Sequence, residues 1–178
     1  MAVLERPIGA AHVRQRLNME ADYEQRCRTK RRFFHLESWY SVHTLIRAGL
    51  TLCGLHGRAR RNARRLHVVH HDWHLSDLPA AFDGYTLLHI TDPHVDMAPD
   101  IVQALIDAVR PLQYDACVVT GDFRTRTFGP HEAVITAMKE IVTHLRGATY
   151  AVLGNHDSLR MVPGLEAMGI RVLLNEAV

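Results

Sequence analysis

Three polar clusters, each placed directly after a short apolar run, limit the folds open to this chain. They are Asp92 and His94 in Thr91-Asp92-Pro93-His94, Asp122 behind Gly121, and Asn155-His156-Asp157 behind Gly154. The runs before them, Tyr85–Thr91, Asp115–Thr120 and Thr149–Leu153, have the length and branching of β-strands. Helical periodicity fills the gaps. Ile101, Leu105, Ile106 and Val109 share a face in a stretch from about Pro99 to Arg110, and Val134, Ala137, Met138, Ile141 and Leu145 keep step before Gly147. A third helix from about Ser158 to Met168 leads to a last strand, Ile170–Leu174. Alternation of this kind predicts an α/β fold with a parallel sheet and right-handed crossovers. Asp115–Thr120, apolar almost throughout, reads as a strand covered on both faces. Ligands of such sheets bind beyond the carboxyl ends of the strands, where all three clusters fall.

Carboxylate, imidazole and amide oxygen are the donors that hold hard or borderline divalent cations, and a carboxylate with two oxygens can bridge a pair of them. In order and spacing, Asp92-x-His94, Gly121-Asp122 and Gly154-Asn155-His156-Asp157, separated by 30 and 33 residues, resemble the early motifs of the calcineurin-like metallophosphoesterases. The resemblance covers about residues 84–178. It implies the first half, βαβαβαβ, of a metallophosphoesterase-type α/β sandwich and a centre of two divalent ions, with Mn²⁺ expected and Fe, Zn or Co as alternatives. On this pattern Asp92 and His94 bind one ion, Asp122 bridges both, and Asn155 binds the second through its side-chain oxygen. His156 would stand near the scissile phosphate as proton donor or charge stabiliser, held by Asp157. Two cations a few ångströms apart lower the pKa of a bridging water and clamp both oxygens of an in-line displacement.

Two features depart from the family pattern. Pro93 stands where a bulkier apolar residue is frequent, and no histidine follows His156, although the family completes its ligand set with later histidines. The chain is therefore expected to carry only the first half of that set. Past the bridging aspartate, Arg124 and Arg126 lie where some family members hold phosphate, and Arg126 is the candidate for that contact. Asp96 and Asp100 read as helix-start carboxylates favoured by the macrodipole, and His89 as a packing residue within its strand.

Charge divides the chain. Residues 1–71 hold 14 Lys+Arg against 5 Asp+Glu, net +9, while residues 72–178 hold 7 against 14, net −7. We read residues 1–77 as a basic helical arm and 78–178 as the catalytic part. In the arm, a charged helix is expected over Asn18–Phe34 and an apolar one over Leu36–Leu55, which starts with Trp39 and Tyr40. His43, Arg47 and Thr51 put a polar stripe on that second helix. A bilayer span is disfavoured, because Arg47 near its middle would cost about 2.5–3.5 kcal/mol. Five arginines in Arg58–Arg65 follow, so residues 36–65 resemble an interfacial anchor for an anionic membrane surface.

The expected location is cytoplasmic and peripheral, at the inner face of a membrane. Met1–Ala10 lacks a signal core, and Cys27, Cys53 and Cys117 form no disulfide framework. The histidines of His67–His74 read as passengers on an edge strand. Together these features resemble the membrane-associated branch of the family, which includes enzymes that cleave the pyrophosphate of a lipid-linked substrate such as UDP-2,3-diacylglucosamine. Alternatives are a nuclease whose arginines grip a phosphate backbone, and a non-catalytic interaction scaffold of the same fold.

Overall fold

The computed structural model of the chain describes residues 9–30, 39–98 and 100–177. Four five- or three-residue strands form one parallel sheet in the order β1-β2-β3-β4: β1 Leu87–Thr91, β2 Ala116–Thr120, β3 Ala148–Val152 and β4 Ile170–Val172. The helices are α1 Ala10–Lys30, α2 Trp39–Leu52, α3 His56–Ala63, α4 Ile101–Val109, α5 Glu132–Val142 and α6 Val162–Glu166. Each strand therefore pairs with its successor in sequence. With right-handed crossovers throughout, an order that never reverses must lay every crossover helix on the same side of the sheet.

Burial follows from that handedness. In register, Ile90, Val119, Ala151 and Val172 are buried beneath α4, α5 and α6, together with Cys117 and Ile170. The opposite face carries Leu87, His89, Thr91, Thr120, Val152 and Arg171, all exposed. β2 is thus not covered equally on its two sides as its apolar run suggested: Cys117 is fully buried, whereas Val118 is half-buried. His89 is likewise not a packing residue. It lies on the open face, with Nε2 2.8 Å from Thr120 Oγ1.

Cys117 behaves as the small buried hydrophobe its sequence context suggests. Burial pushes its thiol up from the ordinary 9.0 to about 12. A thiol whose folded pKa lies above the unfolded one favours the folded state fully below pH 9 and loses that contribution as pH rises towards 12. We expect a disulfide reagent at pH 8 to label exposed Cys53 rapidly in the native chain and Cys117 only after denaturation, read by mass mapping of the two peptides.

Several boundaries differ from the sequence reading. α1 starts well before Asn18, because Val13 is buried in the main core and Leu17 packs against it, while residues 31–34 of the expected helix lie outside the described residues. The expected helix over Leu36–Leu55 is α2, broken at Gly54 (φ +68°) and continued as α3. The edge strand expected over His67–His74 does not form. Residues 65–75 are exposed and belong to no helix or strand. The expected Ser158–Met168 helix begins as a 3-10 turn, Leu159–Met161, in which the Ser158 hydroxyl accepts from Arg160 N at 3.1 Å, and Pro163 then opens α6.

Candidate metal centre

The loops after β1, β2 and β3 meet because two of them have no side chain at the point of closest approach. A Cβ on Gly121 (φ +75°) would lie 2.4 Å from Gly154 N, and one on Gly154 would lie 2.2 Å from Asp122 Oδ1 and 2.4 Å from Asp122 N. Glycine alone permits both the backbone angle at 121 and the contact. Next to it, Asp92 (φ +47°), His94 (φ +39°) and Asp122 (φ +49°) all occupy the left-handed region. That conformation costs a residue with a side chain about 1–2 kcal/mol.

Hydrogen bonds between the loops hold the three residues in that conformation. His94 N donates to Asp122 O at 3.1 Å and Val95 N to Phe123 O at 3.0 Å, which ties the β1 loop to the β2 loop. His156 N donates to Asp122 Oδ1 at 2.9 Å, which ties the β3 loop to the same aspartate. Asp96 accepts from Thr125 N at 2.7 Å and Thr125 Oγ1 at 2.8 Å. It is thus a loop tie and not a helix-start carboxylate. Asp100 does sit at the start of α4, but its side chain makes no cap bond and pairs instead with Arg64 at 3.0 Å.

One carboxylate oxygen each from Asp92 and Asp122 and one ring nitrogen of His94 lie within 4.8 Å of one another. His94 Nδ1 is 2.9 Å from Arg124 O. A carbonyl only accepts, so Nδ1 carries the proton and Nε2 keeps its lone pair, the tautomer in which a metal-binding imidazole is fixed by its outer partner. Asp92 in turn accepts from the Thr91 hydroxyl. Two carboxylates and an oriented imidazole suit a divalent cation, so the donor set fits the ion that the motif implies.

Asn155 is exposed at the tip of the β3 loop, and His156 beside it is half-buried. The His156 ring stands edge-on to that of His94, with centroids 5.7 Å apart, and its Nδ1 is 3.1 Å from Thr127 Oγ1. Asp157 does not grip that ring. Its carboxylate is buried and accepts from Phe123 N at 3.0 Å and Gly154 N at 2.9 Å, so it positions His156 through the backbone of two loops. Burial pushes its carboxyl above the usual carboxylate range, and the negative charge of Asp122 adds to this; the amide N–H groups of Gly154, Phe123 and Arg124 oppose it.

Arg124 is buried and turned inward. Its Nε donates to His156 O, Nη1 to Gly129 O at 3.1 Å and Nη2 to Thr127 O at 2.7 Å. Burial pulls its pKa down, and the nearby charges of Asp157 and Glu20 oppose that shift. Its five donors are committed largely to main-chain carbonyls, so it clamps the β2 and β3 loops together. Arg126 remains exposed. The sequence reading missed the part played by Thr127, whose hydroxyl is an ordinary loop feature until the fold brings it to His156. It also missed the closure of the two glycines, although a glycine directly before Asp122 and another before Asn155 were a readable signal.

Among curated proteins, none gives a significant match to the chain. The family model for calcineurin-like phosphoesterases matches residues 85–175, the segment that runs from just before β1 to just past β4 and carries the whole centre. On that match the chain belongs to the calcineurin-like phosphoesterase family.

Proposed function

We propose that the chain is a metal-dependent phosphoesterase that cleaves a phosphodiester or pyrophosphate bond. The observation that carries this reading is the convergence of Asp92, His94 and Asp122 at the carboxyl ends of adjacent parallel strands. Asp92 and His94 would hold one divalent ion, Asp122 would be shared, and Asn155 would contribute its amide oxygen to a second. Ions held there would supply Lewis-acid polarisation of the phosphoryl group and a nucleophile at neutral pH. His156, beside His94 and kept in place by Thr127 and the Asp157-braced backbone, would give a proton to the departing oxygen. Exposed Arg126 would meet the phosphate as it enters.

Four protein ligands are few for two ions. One site is nearly complete with Asp92, His94 and Asp122, whereas the second rests on Asp122 and Asn155. Calorimetric titration of the 178-residue chain with Mn²⁺ should therefore show one tight site. Hydrolysis of bis-p-nitrophenyl phosphate should be slow, Mn²⁺-dependent and abolished by chelator. A chain that binds no Mn²⁺ and hydrolyses nothing overturns the reading.

We further infer that residues 1–77 act as a basic arm and 78–178 as the catalytic part, and that residues 36–65 place the enzyme on an anionic membrane at its inner, cytoplasmic face. No helix among the described residues is long and apolar enough to cross a membrane. What supports surface attachment is α2, on which Leu45 is 77% and Leu52 88% exposed, followed by the exposed arginines Arg58, Arg61, Arg64 and Arg65. A lipid-linked substrate such as UDP-2,3-diacylglucosamine accords with that arm. Co-sedimentation with vesicles containing anionic lipid should persist to higher salt than binding to duplex DNA does, because apolar burial is insensitive to salt. Equal loss of both with salt favours the nuclease instead.

A further inference from the structure

α1 lies outside the segment that the family model matches, yet it touches two of the three loops that carry the centre. Its contacts form one stripe. Val13 is buried in the main core, Leu17 packs against it, and Glu20 and Glu24 follow along the same side of the helix. Both carboxylate oxygens of Glu20 are used. Oε2 accepts from the Ser158 hydroxyl at 2.6 Å, and Oε1 accepts from Leu159 N at 3.2 Å and from Arg16 Nε at 3.2 Å. Ser158 and Leu159 are buried and lie two and three residues past His156. On the other loop, Tyr23 meets Phe128 edge to face, with centroids 6.5 Å apart. Phe128 stands between Thr127 and Gly129, two of the three residues whose carbonyls Arg124 holds.

We propose that α1 is a built part of the metal site, with Glu20 as the positioning residue that braces the Asn155–Leu159 loop. This rests on the reading of that loop as part of a phosphoesterase centre. Glutamates on helices are ordinarily solvated. Here two buried donors from a catalytic loop close on one carboxylate, and a hydrogen bond to a charged group is stronger than a neutral one. The helix fixes the loop from outside as Asp122 and Asp157 fix it from within. The same carboxylate, with Glu24, sets negative charge near the buried guanidinium of Arg124. Glu20→Gln can keep an acceptor for Leu159 N and offer a donor to the Ser158 oxygen, whereas Glu20→Ala keeps neither.

Amide hydrogen exchange on the full chain tests the brace, with wild type, E20A and E20Q compared. In E20A the amides of His156–Arg160 should exchange about tenfold faster while those of β2 stay unchanged, and E20Q should remain within about threefold of wild type. Mn²⁺ affinity in E20A should fall about tenfold, as for the loss of an outer partner of a metal site. Unchanged exchange in E20A, a rise spread equally over all four strands, or E20Q as fast as E20A overturns the proposal. If the wild-type chain binds no Mn²⁺, the phosphoesterase reading fails on its own, and the exchange comparison still decides whether Glu20 braces the loop.

Discussion

Replacing Gly154 with alanine should cost the fold about 3 kcal/mol or more, a large part of the roughly 5–15 kcal/mol that separates a domain from its unfolded state. The added methyl would sit 2.2 Å from Asp122 Oδ1 and 2.4 Å from Asp122 N. Neither atom is the free end of a flexible chain. Asp122 N is backbone, and Oδ1 is held by His156 N. Relief would require the β2 and β3 loops to part, which would break the bonds of Phe123 N to Asp157 and of Arg124 Nε to His156 O as well. Gly84→Ala is the control. Its φ is +74° but nothing lies within 4 Å of its added carbon, so it should lose only the about 1–2 kcal/mol of a left-handed backbone. Urea midpoints of the two variants give the comparison. Equal midpoints would mean that the loops are not in contact at Gly154.

Asp122→Asn should leave the chain folded and remove its metal. The amide oxygen of asparagine can still accept from His156 N, so the tie between the β2 and β3 loops survives. Charge is what the change takes away. A residue that binds the ion directly should matter more than the outer partners, whose loss costs about 10–100-fold, so Mn²⁺ affinity should fall by more than about 100-fold and hydrolysis should vanish. Without metal the variant should be at least as stable as wild type in urea. The negative charge of Asp122 raises the buried Asp157 carboxyl, and removing one of two like charges eases that repulsion. Full metal affinity in the variant would show that Asp122 is not a ligand. Unfolding of the metal-free variant would show that its charge, and not only its hydrogen bond, holds the loops.

The segment that the family model matches was readable because its signals are local. Strands and helices of β1 to β4 announce themselves by apolar period, and the polar clusters fall at strand ends wherever a parallel sheet places them. The sequence alone therefore makes Asp92, His94 and Asp122 neighbours. Their ordered spacing also carried the family, which the match over residues 85–175 bears out.

Strand order is not a local property. Nothing in the run Asp115–Thr120 distinguishes a strand covered on both faces from one that has helices on a single side. That follows from an order that never reverses, combined with right-handed crossovers. Residues 67–74 failed as a strand for a related reason, since alternation supplies a face but not the neighbouring backbone that a ladder needs. α1 was hard to read because part of its packing stripe is Glu20 and Glu24, so its buried side looks polar until Ser158 and Leu159 arrive from 138 and 139 residues away. Arg124 and Asp157 show the same limit. The family resemblance implies a phosphate-binding place for Arg124 and a grip on His156 for Asp157, but the backbone amides and carbonyls that claim them converge only when the loops close at Gly121 and Gly154. Residue type and spacing determined which donors reach the sheet edge. Contacts between loops distant in sequence decided which of them face outward and which hold the others in place.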